Sequence, residues 1–241
     1  MAKTVGAVPS FPLSGRALLQ SGLEKIGLAG EDVLAGEETP ARRGATSLIP
    51  LLEQYMGELE LFNAVFDLVG ADTRDDLIVR HILDSLAPWK AVAALLARKA
   101  GSTLADAGTG AGFPGIPLAL LFPQTPVFLL ERMSKRCAFL NGLRAVLRLS
   151  TVSVLEGEIE KASGPYDVVV FRAFRPLEPP MFTALSRLVC PGGSLAAWKA
   201  RRDKIEAEMA PLGREGVLWE SKPVQVPFLD HEERHLVIIP R

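Results

Sequence analysis

Three alternating glycines follow a short apolar run, and their spacing is the feature of the sequence best suited to chemistry. Asp106 lies near the end of the run, Gly108, Gly110 and Gly112 come next, and Pro114 stands where a helix can begin. Glycine is needed where a chain turns sharply or where a ligand contacts the backbone. In doubly wound sheets, ligands bind beside such turns, at the carboxyl ends of the strands. The turn therefore predicts a ligand-binding site.

A carboxylate stands at the end of the next apolar run. Glu131 follows residues 127–130, and an acidic residue at that place can accept hydrogen bonds from the two hydroxyls of an adenosine ribose. Dinucleotides and S-adenosylmethionine both carry this ribose. Together, the glycine turn and Glu131 predict a site for one of these cofactors rather than a tight turn beside a surface glutamate.

The two cofactor classes differ in the charge that they bring to the turn. Residues 110–115 fit the G-x-G-x-x-G pattern of nicotinamide and flavin enzymes, so a dinucleotide-dependent oxidoreductase is one hypothesis. Asp106, however, would repel a pyrophosphate, whereas it could help to hold the positively charged amino acid end of S-adenosylmethionine. Pro114 also leaves little room for a helical turn that caps a phosphate. These residues favour S-adenosylmethionine, and the oxidoreductase stays the alternative.

Short apolar runs alternate with helical stretches from residue 101 onward. Helices are predicted to begin after Pro114, Ser134, Pro176 and Arg201. A strand, helix, strand order gives right-handed crossovers and a mainly parallel sheet, and the last two strands, without a helix between them, should pair antiparallel. The sequence thus predicts a doubly wound α/β fold with seven strands, at residues 103–107, 127–130, 152–155, 167–171, 194–199, 216–224 and 234–239.

The region before the sheet divides into two segments. Residues 1–45 are rich in glycine, proline and small residues, and they predict an N-terminal extension that is partly flexible, with a helix at 13–28. Residues 46–100 carry apolar residues at helical spacing, which predicts a helical segment packed on the core. Residues 101–241 then form a Rossmann-like domain. The predicted helices of the middle segment lie at 47–68, 75–86 and 88–98.

Basic residues cluster at two places, although the chain as a whole is almost neutral. It has 27 Lys and Arg against 28 Asp and Glu, so the net charge gives no argument for nucleic acid. Clusters beside a binding site are nevertheless typical of contacts to a phosphate backbone, and a solvated helix face is the alternative. The candidates follow two strand ends and are Arg132, Lys135 and Arg136, and Lys199, Arg201 and Arg202.

Other classes of site find no support in the sequence. Cys137 and Cys190 lie far apart and fit neither a metal site nor a redox pair, and the three histidines form no metal-binding set. The apolar runs are too short to span a bilayer, and the N-terminus lacks the pattern of a signal peptide. We therefore expect a cytoplasmic protein without a metal site and without a membrane partner.

Beyond the glycine turn, several segments occur in a distinctive order. Arg80-His81-Ile82-Leu83-Asp84-Ser85 precedes the turn from Asp106 to Leu118, and these two are the most specific. Further segments lie at 129–140, 166–174, 197–199, 226–227 and 233–237. In this order the chain resembles the small-subunit (16S) ribosomal RNA guanine-N7 methyltransferase family, called RsmG or GidB. The resemblance extends from about residue 60 to 240.

The resemblance implies a class I methyltransferase fold and transfer of a methyl group from S-adenosyl-L-methionine to N7 of one guanine in 16S ribosomal RNA. The implied partner is 16S ribosomal RNA or the small ribosomal subunit, and we expect a monomer. By position, Glu131 is the ribose carboxylate, while Ile159 and Glu160 lie where this fold usually brackets an adenine ring. Arg172, at the end of the fourth strand, could meet a phosphate, the O6 edge of guanine or the cofactor carboxylate.

Two sets of residues follow from the turn, the clusters and the resemblance together. The predicted cofactor set is Asp106, Gly108, Thr109, Gly110, Gly112, Phe113, Glu131, Arg132, Ile159, Glu160 and Arg172. The predicted RNA set is Arg80, Lys135, Arg136, Arg172, Lys199, Arg201 and Arg202.

The implied reaction fits the absence of a catalytic set. N7 of guanine has an unprotonated lone pair and needs no general base, and the sequence offers no Cys/His or Ser/His/Asp arrangement. The chain also departs from the family, with Phe62-Asn63-Ala64 and Asp67-Leu68-Val69 in place of Trp-Asn-Lys and Asn-Leu-Thr. A substrate contact through that segment is therefore open, and a non-catalytic RNA-binding protein of ribosome assembly is a further alternative.

Overall fold

Seven strands form one sheet with the predicted doubly wound topology. The computed structural model describes residues 11–34, 40–172 and 176–241. The strands are β1 (Leu104–Ala107), β2 (Val127–Glu131), β3 (Val152–Glu156), β4 (Tyr166–Arg172), β5 (Val189–Lys199), β6 (Glu220–Pro223) and β7 (His235–Pro240). Their order across the sheet is β3-β2-β1-β4-β5-β7-β6. The order changes direction between β1 and β4, so the carboxyl ends of these two strands flank the crevice where such sheets bind ligands.

The predicted antiparallel pairing of the last two strands is confirmed, with one addition. β7 lies between β5 and β6 and runs antiparallel to both of them. Lys199 at the end of β5 and Pro223 at the end of β6 both pair with His235 at the start of β7. The start of β7 is therefore at the same edge of the sheet as the carboxyl ends of the parallel strands.

Four helices cross between strands where the sequence predicts them. They are α6 (Gly115–Leu121), α7 (Ser134–Val146), α8 (Pro179–Arg187) and α9 (Arg202–Arg214), and a short 3₁₀ turn at Ile159–Lys161 connects β3 to β4. The strand predicted from residue 216 begins only at Glu220. Gly216 instead ends α9: it has φ +82°, and its N–H donates to the carbonyl of Gly213. A left-handed glycine is the usual end of a helix.

The N-terminal region is helical, as predicted, and it contains one irregular helix. Its elements are α1 (Gly15–Lys25), α2 (Ala45–Phe66), α3 (Arg74–Leu77), α4 (Asp84–Leu86) and α5 (Trp89–Leu96). The predicted helix at 75–86 is continuous, but its middle, Ile78–Leu83, is a π-helix that joins α3 to α4. Thr73 begins it, because its Oγ1 accepts a hydrogen bond from Asp76 N at 3.0 Å. Such π-helical turns are frequent at functional sites.

Apolar residues cover both faces of the sheet. One buried cluster joins the N-terminal helices to α6, α7 and the first face, through residues such as Leu19, Leu48, Leu83 and Leu118. A second cluster packs α8 and α9 on the other face. Residues 46–100 thus pack on the sheet rather than forming a separate core. The flexibility predicted within residues 1–45 includes the stretches 1–10 and 35–39, which lie outside the described residues.

The described helices were compared with the length and apolarity that a membrane-spanning helix needs. None of them is long and apolar enough to cross a bilayer.

Candidate functional site

The glycine turn has the left-handed backbone that its sequence predicts. Gly108, Gly110 and Gly112 have φ of +71°, +62° and +107°. A β-carbon on Gly112 would lie 2.6 Å from Ile116 Cγ1, so packing requires glycine there. A β-carbon on Gly110 would meet no described atom closer than 3.9 Å. The space above Gly110 is therefore open, which allows a ligand to approach the backbone.

Asp106 holds the turn from below. Its Oδ2 accepts hydrogen bonds from Thr109 Oγ1 at 2.6 Å and from Gly115 N at 2.7 Å. The residue has no exposed surface, and its Oδ1 is buried without a hydrogen-bond partner among the described residues. Burial raises the pKa of Asp106 to about 6. Oδ2 of Asp106 therefore fixes the turn, and a cationic group of a ligand would satisfy its Oδ1.

Glu131 ends β2 directly beside the turn. Its Oε2 accepts from Gly110 N at 3.0 Å and its Oε1 from Met133 N at 2.9 Å, and the side chain is only 5% exposed. A carboxylate offers about four lone-pair sites, so both oxygens can accept further hydrogen bonds from a ribose diol. Arg136 Nη1 lies 4.0 Å from Oε2, and Arg136 Nε is buried without a partner among the described residues.

These observations test whether an adenosine cofactor fits the turn. The open space above Gly110, the fixed carboxylate of Glu131 and the unsatisfied oxygen of Asp106 match the ribose and the ammonium group of S-adenosylmethionine. Ile159 is buried in the same apolar cluster as Ala107 and Leu130. Ala107 is the last residue of β1, and Leu130 lies near the end of β2. The residues present therefore fit this cofactor.

The remaining predicted cofactor residues occupy different surroundings. Thr109 is buried in the turn, whereas Arg132 is exposed after β2. The carbonyl of Glu160 accepts a hydrogen bond from Arg187 Nη2 at 3.1 Å, while its side chain is exposed. Residues 173–175, which belong to the segment that resembles the family after Arg172, lie outside the described residues.

Arg172, the last residue of β4, joins the sheet to the N-terminal helices. Its Nη1 donates to the carbonyl of Arg80 at 3.0 Å and to Asp84 Oδ2 at 2.9 Å, and its guanidinium lies 4.9 Å from the ring centroid of Phe113. Phe113 belongs to the glycine turn, so the structure brings these two predicted residues together. Stacking on an aromatic face orients a guanidinium as well as stabilising it.

His81 is a neutral partner of Arg172. Its Nδ1 lies 3.0 Å from Arg172 Nη2, which can only donate, so Nδ1 is the acceptor. Burial, followed by the charges of Arg172 and Arg80, lowers the pKa of His81 to about 4. His81 and Asp84 each pair with Arg172, so both of them help to hold this helix on the domain.

Asp84 is the common partner of two arginines at this edge of the sheet. Its Oδ1 accepts from Arg234 Nε at 3.1 Å, and its carbonyl accepts from Trp198 Nε1 at 3.0 Å. These groups border a cleft of about 420 Å³, which we call the arginine cleft. Its lining residues are Arg80, His81, Asp84, Arg172, Trp198, Lys199, Ala200 and Arg234.

Tyr55 connects α2 to the glycine turn. Its hydroxyl donates to the carbonyl of Ala111 at 2.9 Å, and its ring centroid lies 5.3 Å from that of Phe113. The side chain is fully buried, and burial raises the pKa of its hydroxyl well above the usual value. The N-terminal helices therefore help to fix the shape of the glycine turn.

The predicted RNA residues fall into two groups by environment. Arg80 and Lys199 line the arginine cleft and are paired, Arg80 with Glu232 at 2.7 Å and Lys199 with Glu208 at 2.7 Å. Arg201 and Arg202 have exposed side chains, and each of them forms an ion pair with an acidic residue of α9. Lys135 is exposed on the first turn of α7, beside Arg136. The structure therefore places them around the carboxyl edge of the sheet but gives several of them acidic partners.

Metal-ligating residues are not gathered in the portion of the chain that the structure describes. No group of three His, Cys, Asp or Glu side chains there could hold a metal ion. Cys137 and Cys190 are both free thiols.

Comparison with known proteins identifies the family. Residues 48–237 match the sequence profile of the GidB family, described as rRNA small subunit methyltransferase G. The chain belongs to this family. It is 36% identical to ribosomal RNA small subunit methyltransferase G of Treponema denticola, over 95% of this chain and 96% of that protein. It is 37% identical to the protein of the same name from Burkholderia thailandensis, over 92% of this chain and 90% of that protein.

Solved structures support the fold of this GidB family member. A methyltransferase from Pyrococcus furiosus superposes with a TM-score of 0.54 at 14% identity, covering 78% of this chain and 96% of that one. Magnesium protoporphyrin IX methyltransferase from Synechocystis, solved with bound S-adenosylmethionine, gives a TM-score of 0.52 at 20% identity and covers 78% and 97%. The predicted class I methyltransferase fold is confirmed.

Family membership decides three of the sequence-based expectations. The predicted resemblance and the predicted methyltransferase class are confirmed, and the dinucleotide-dependent oxidoreductase is excluded. Several residues around the site, however, are absent from the predicted sets, among them Tyr55, Asp84 and Arg234. Asp84 and Arg234 lie inside segments that carry the resemblance, which could have pointed to them. Tyr55 is one of only two tyrosines, and its place in an apolar helical pattern hides its hydroxyl.

Proposed function

We propose that this chain transfers a methyl group from S-adenosyl-L-methionine to N7 of one guanine in 16S ribosomal RNA. The observation that carries the proposal is the arrangement around the glycine turn, where Glu131 fixes the amide of Gly110 and Arg172 stacks on Phe113. Because Arg172 also lines the arginine cleft, the proposed cofactor site and this cationic cleft adjoin each other. The family match over residues 48–237 supports ribosomal RNA as substrate.

The glycine turn and the end of β2 would hold the cofactor. Glu131 would accept the ribose hydroxyls, the backbone at Gly110 would lie against the ligand, and the buried cluster that contains Ile159 would adjoin the adenine. Asp106 would fix the turn and compensate the positive charge of the ligand. When bound, S-adenosylmethionine supplies an electrophilic methyl group.

The residues of the site position the reactants rather than move protons. N7 of guanine can attack directly with its lone pair, so no base is required. His81 agrees with this chemistry, because its pKa of about 4 and its occupied Nδ1 make it unsuited to accept a proton at neutral pH. Alignment of two reactants can lower a barrier by about 7–11 kcal/mol in favourable cases. Arg172, which lies over the ring of Phe113, would position the substrate beside the turn.

The substrate surface would be the carboxyl edge of the sheet. Arg132, Lys135 and Arg136 follow the cofactor carboxylate, and Lys199, Arg201 and Arg202 follow β5. Their charges would attract the phosphate backbone, and that attraction weakens with salt. We include in the proposal that the partner is 16S RNA or the small ribosomal subunit, that the enzyme acts as a monomer, and that it works in the cytoplasm.

Methyl transfer to unmodified RNA tests the proposal. The purified chain is incubated with methyl-labelled S-adenosylmethionine and with 16S RNA or small subunits that lack the modification, and the labelled nucleotide is mapped. We expect label at N7 of a single guanine. Binding of the RNA with no label in either substrate, although the cofactor binds, would contradict the proposal and favour the non-catalytic RNA-binding alternative.

A matched pair of variants tests the assigned ribose carboxylate. Glu131 and Glu156 are register partners at the ends of β2 and β3, but only Glu131 bonds to the glycine turn. Hydrogen bonds to a charged group contribute about 1.5–3 kcal/mol, so Glu131→Gln should weaken cofactor binding by roughly 10- to 100-fold in calorimetry. Glu156→Gln should leave the affinity unchanged. Equal effects of the two substitutions on the affinity would show that Glu131 does not bind the cofactor.

A further inference from the structure

A second cleft opens at the carboxyl edge of the sheet, beyond the arginine cleft. It has a volume of about 630 Å³ and lies between the end of α1, the start of α5 and the segment after β6. Lys25, Lys90 and Lys222 line it, together with the carboxylates of Glu24 and Asp230. We call it the lysine cleft.

Two of these lysines face aromatic rings instead of carboxylates. Lys25 Nζ lies 5.0 Å from the ring centroid of Phe228, and Lys90 Nζ lies 5.8 Å from that of Trp89. Lys222 pairs with Glu220 at 3.1 Å, but no carboxylate among the described residues forms an ion pair with Lys25 or Lys90. An aromatic face stabilises an ammonium without using its N–H donors. Both groups can therefore donate to an anion in the cleft.

The backbone keeps the ring below Lys25 in a conformation that bulky residues rarely adopt. Phe228 has φ +68°, in the left-handed region, where a non-glycine residue is strained. The side chain packs against the main core, which holds it there. Strain of this kind costs on the order of 1–3 kcal/mol and is concentrated at functional sites.

The position of the lysine cleft relates it to the arginine cleft. His235 pairs with Lys199 of β5 on one side and with Pro223 of β6 on the other. Lys199 and Arg234 line the arginine cleft. Pro223 and Leu236 line the lysine cleft. Neighbouring strands are about 4.8 Å apart, so the two clefts are about two strand spacings, roughly 10 Å, from each other. A single extended ligand can reach both.

We propose that the lysine cleft binds the phosphate backbone of the substrate RNA, at nucleotides that flank the methylated guanine. The proposal rests on the proposed function, and it assigns Lys25 and Lys90 as the two phosphate contacts. A polyanion that enters the arginine cleft meets these ammonium groups next along the same edge. RNA fits better than an acidic protein segment, because Lys25 and Lys90 lie at the same edge of the sheet as the cleft that holds the predicted RNA residues Arg80 and Lys199.

The experiment measures binding of unmodified 16S RNA as a function of salt, for the full chain and two double variants. Lys25→Gln with Lys90→Gln removes the two contacts. Arg148→Gln with Arg214→Gln is the control, since both arginines are exposed at the opposite edge, Arg148 just beyond the end of α7 and Arg214 as the last residue of α9. Each phosphate contact on single-stranded nucleic acid contributes about 0.7 to the slope of log K against log salt. The cleft variant should lose about 1.4 from that slope and on the order of tenfold in affinity at 0.1 M salt.

The other readouts separate this proposal from the proposed function. The cleft variant should raise KM for RNA, keep kcat at saturating RNA, and keep the affinity for S-adenosylmethionine. An unchanged salt slope, or the same loss in the control variant, would overturn the proposal. Normal binding of naked RNA with reduced methylation of small subunits would also overturn it and assign the cleft to a ribosomal protein. Failure of the proposed function would instead be the absence of methyl transfer by the unaltered chain.

Discussion

Single side chains link the cofactor turn to regions of the chain that are distant in sequence. Tyr55 reaches it from α2 and Arg172 from β4, and both contact Phe113. The hydroxyl of Tyr55 is the only polar group of its side chain and donates to the carbonyl of Ala111. The shape of the turn therefore depends on residues outside the sheet.

The two tyrosines of the chain allow a matched test of this link. Tyr55→Phe removes the donor to Ala111, and Tyr166→Phe removes an equivalent donor to Ser163 at the start of β4, where the distance is also 2.9 Å. Losing a partner of a buried carbonyl costs about 1–3 kcal/mol, so we expect Tyr55→Phe to lower the free energy of unfolding. Only Tyr55→Phe should also weaken binding of S-adenosylmethionine. Unaltered cofactor affinity in Tyr55→Phe would show that the turn keeps its shape without the hydroxyl.

Asp106 predicts a pH dependence of cofactor binding. Burial raises its pKa to about 6, and a positively charged ligand nearby favours the ionised form. The affinity for S-adenosylmethionine should therefore fall as the pH drops from 7.5 to 5, by up to tenfold per pH unit below about 6. Asp106→Asn should bind weakly and without this dependence. His81, with a pKa of about 4, titrates below the window. Parallel pH profiles of the two proteins would rule out Asp106 as the responsible group.

The same residue has an opposite effect on the stability of the ligand-free protein. Because the folded-state pKa is raised from 3.8 to about 6, the contribution of Asp106 is fully present below pH 3.8 and is lost as the pH rises through 6. The difference corresponds to about 3 kcal/mol. The free energy of unfolding of Asp106→Asn, relative to that of the unaltered chain, should therefore be higher at pH 7.5 than at pH 4.5. Urea unfolding at both pH values measures this difference. A constant difference between the two proteins would argue against this titration.

At the scale of elements, two helical glycines have opposite roles. A β-carbon on Gly115, at the start of α6, would lie 2.5 Å from Leu129 Cδ2 and 2.7 Å from Asp106 Oδ2. A β-carbon on Gly142, inside α7, would meet no described atom within 4 Å. Close packing of α6 on the sheet thus requires glycine at 115, whereas α7 does not require it at 142.

Alanine at these two positions should change stability in opposite directions. Gly115→Ala should lower the free energy of unfolding by about 1–3 kcal/mol, because the core is already filled, and it should weaken cofactor binding by moving Asp106. Gly142→Ala should raise the free energy of unfolding by about 0.5–1 kcal/mol, because alanine is the better helix former. Urea unfolding measures both values. A loss of stability in Gly142→Ala would contradict the open surroundings of that position.

Local signals account for the elements that the sequence predicts, and distant contacts for those that it misses. The turn from Asp106 to Gly115 and the carboxylate of Glu131 are local patterns, so they can be read directly. The start of β5 at Val189 cannot be predicted from a local pattern, because Gly192 and Gly193 signal a break in the strand. A β-carbon on Gly193 would lie 2.5 Å from the carbonyl of Asp167, so glycine there permits close approach to β4. The contacts of Asp84 with Arg172 and Arg234 join three separate segments, which only the folded chain brings together.

At the scale of the whole molecule, one apolar cluster unites the N-terminal helices with the sheet. Leu48 of α2, Leu118 of α6 and Leu140 of α7 belong to it. Because the N-terminal helices bury their apolar faces against one another, α6, α7 and the sheet in one continuous cluster, we expect the described regions of the chain to unfold as one cooperative unit. Far-ultraviolet circular dichroism and tryptophan fluorescence, which reports on Trp89, Trp198 and Trp219, should give coincident urea transitions. Two separated transitions would mean that residues 46–100 form an independent domain.

The position of β7 has a consequence for a growing chain. The ribosome makes β6 before β7, yet β6 pairs in the sheet only with β7. β1 pairs with β2 and with β4 without it, so a nascent chain can assemble the glycine turn before β7 is made. Arg234, beside β7, and the walls of the lysine cleft reach their places only afterwards. During synthesis, the proposed pocket for the methyl donor would thus form before the two clefts that are proposed to contact the RNA.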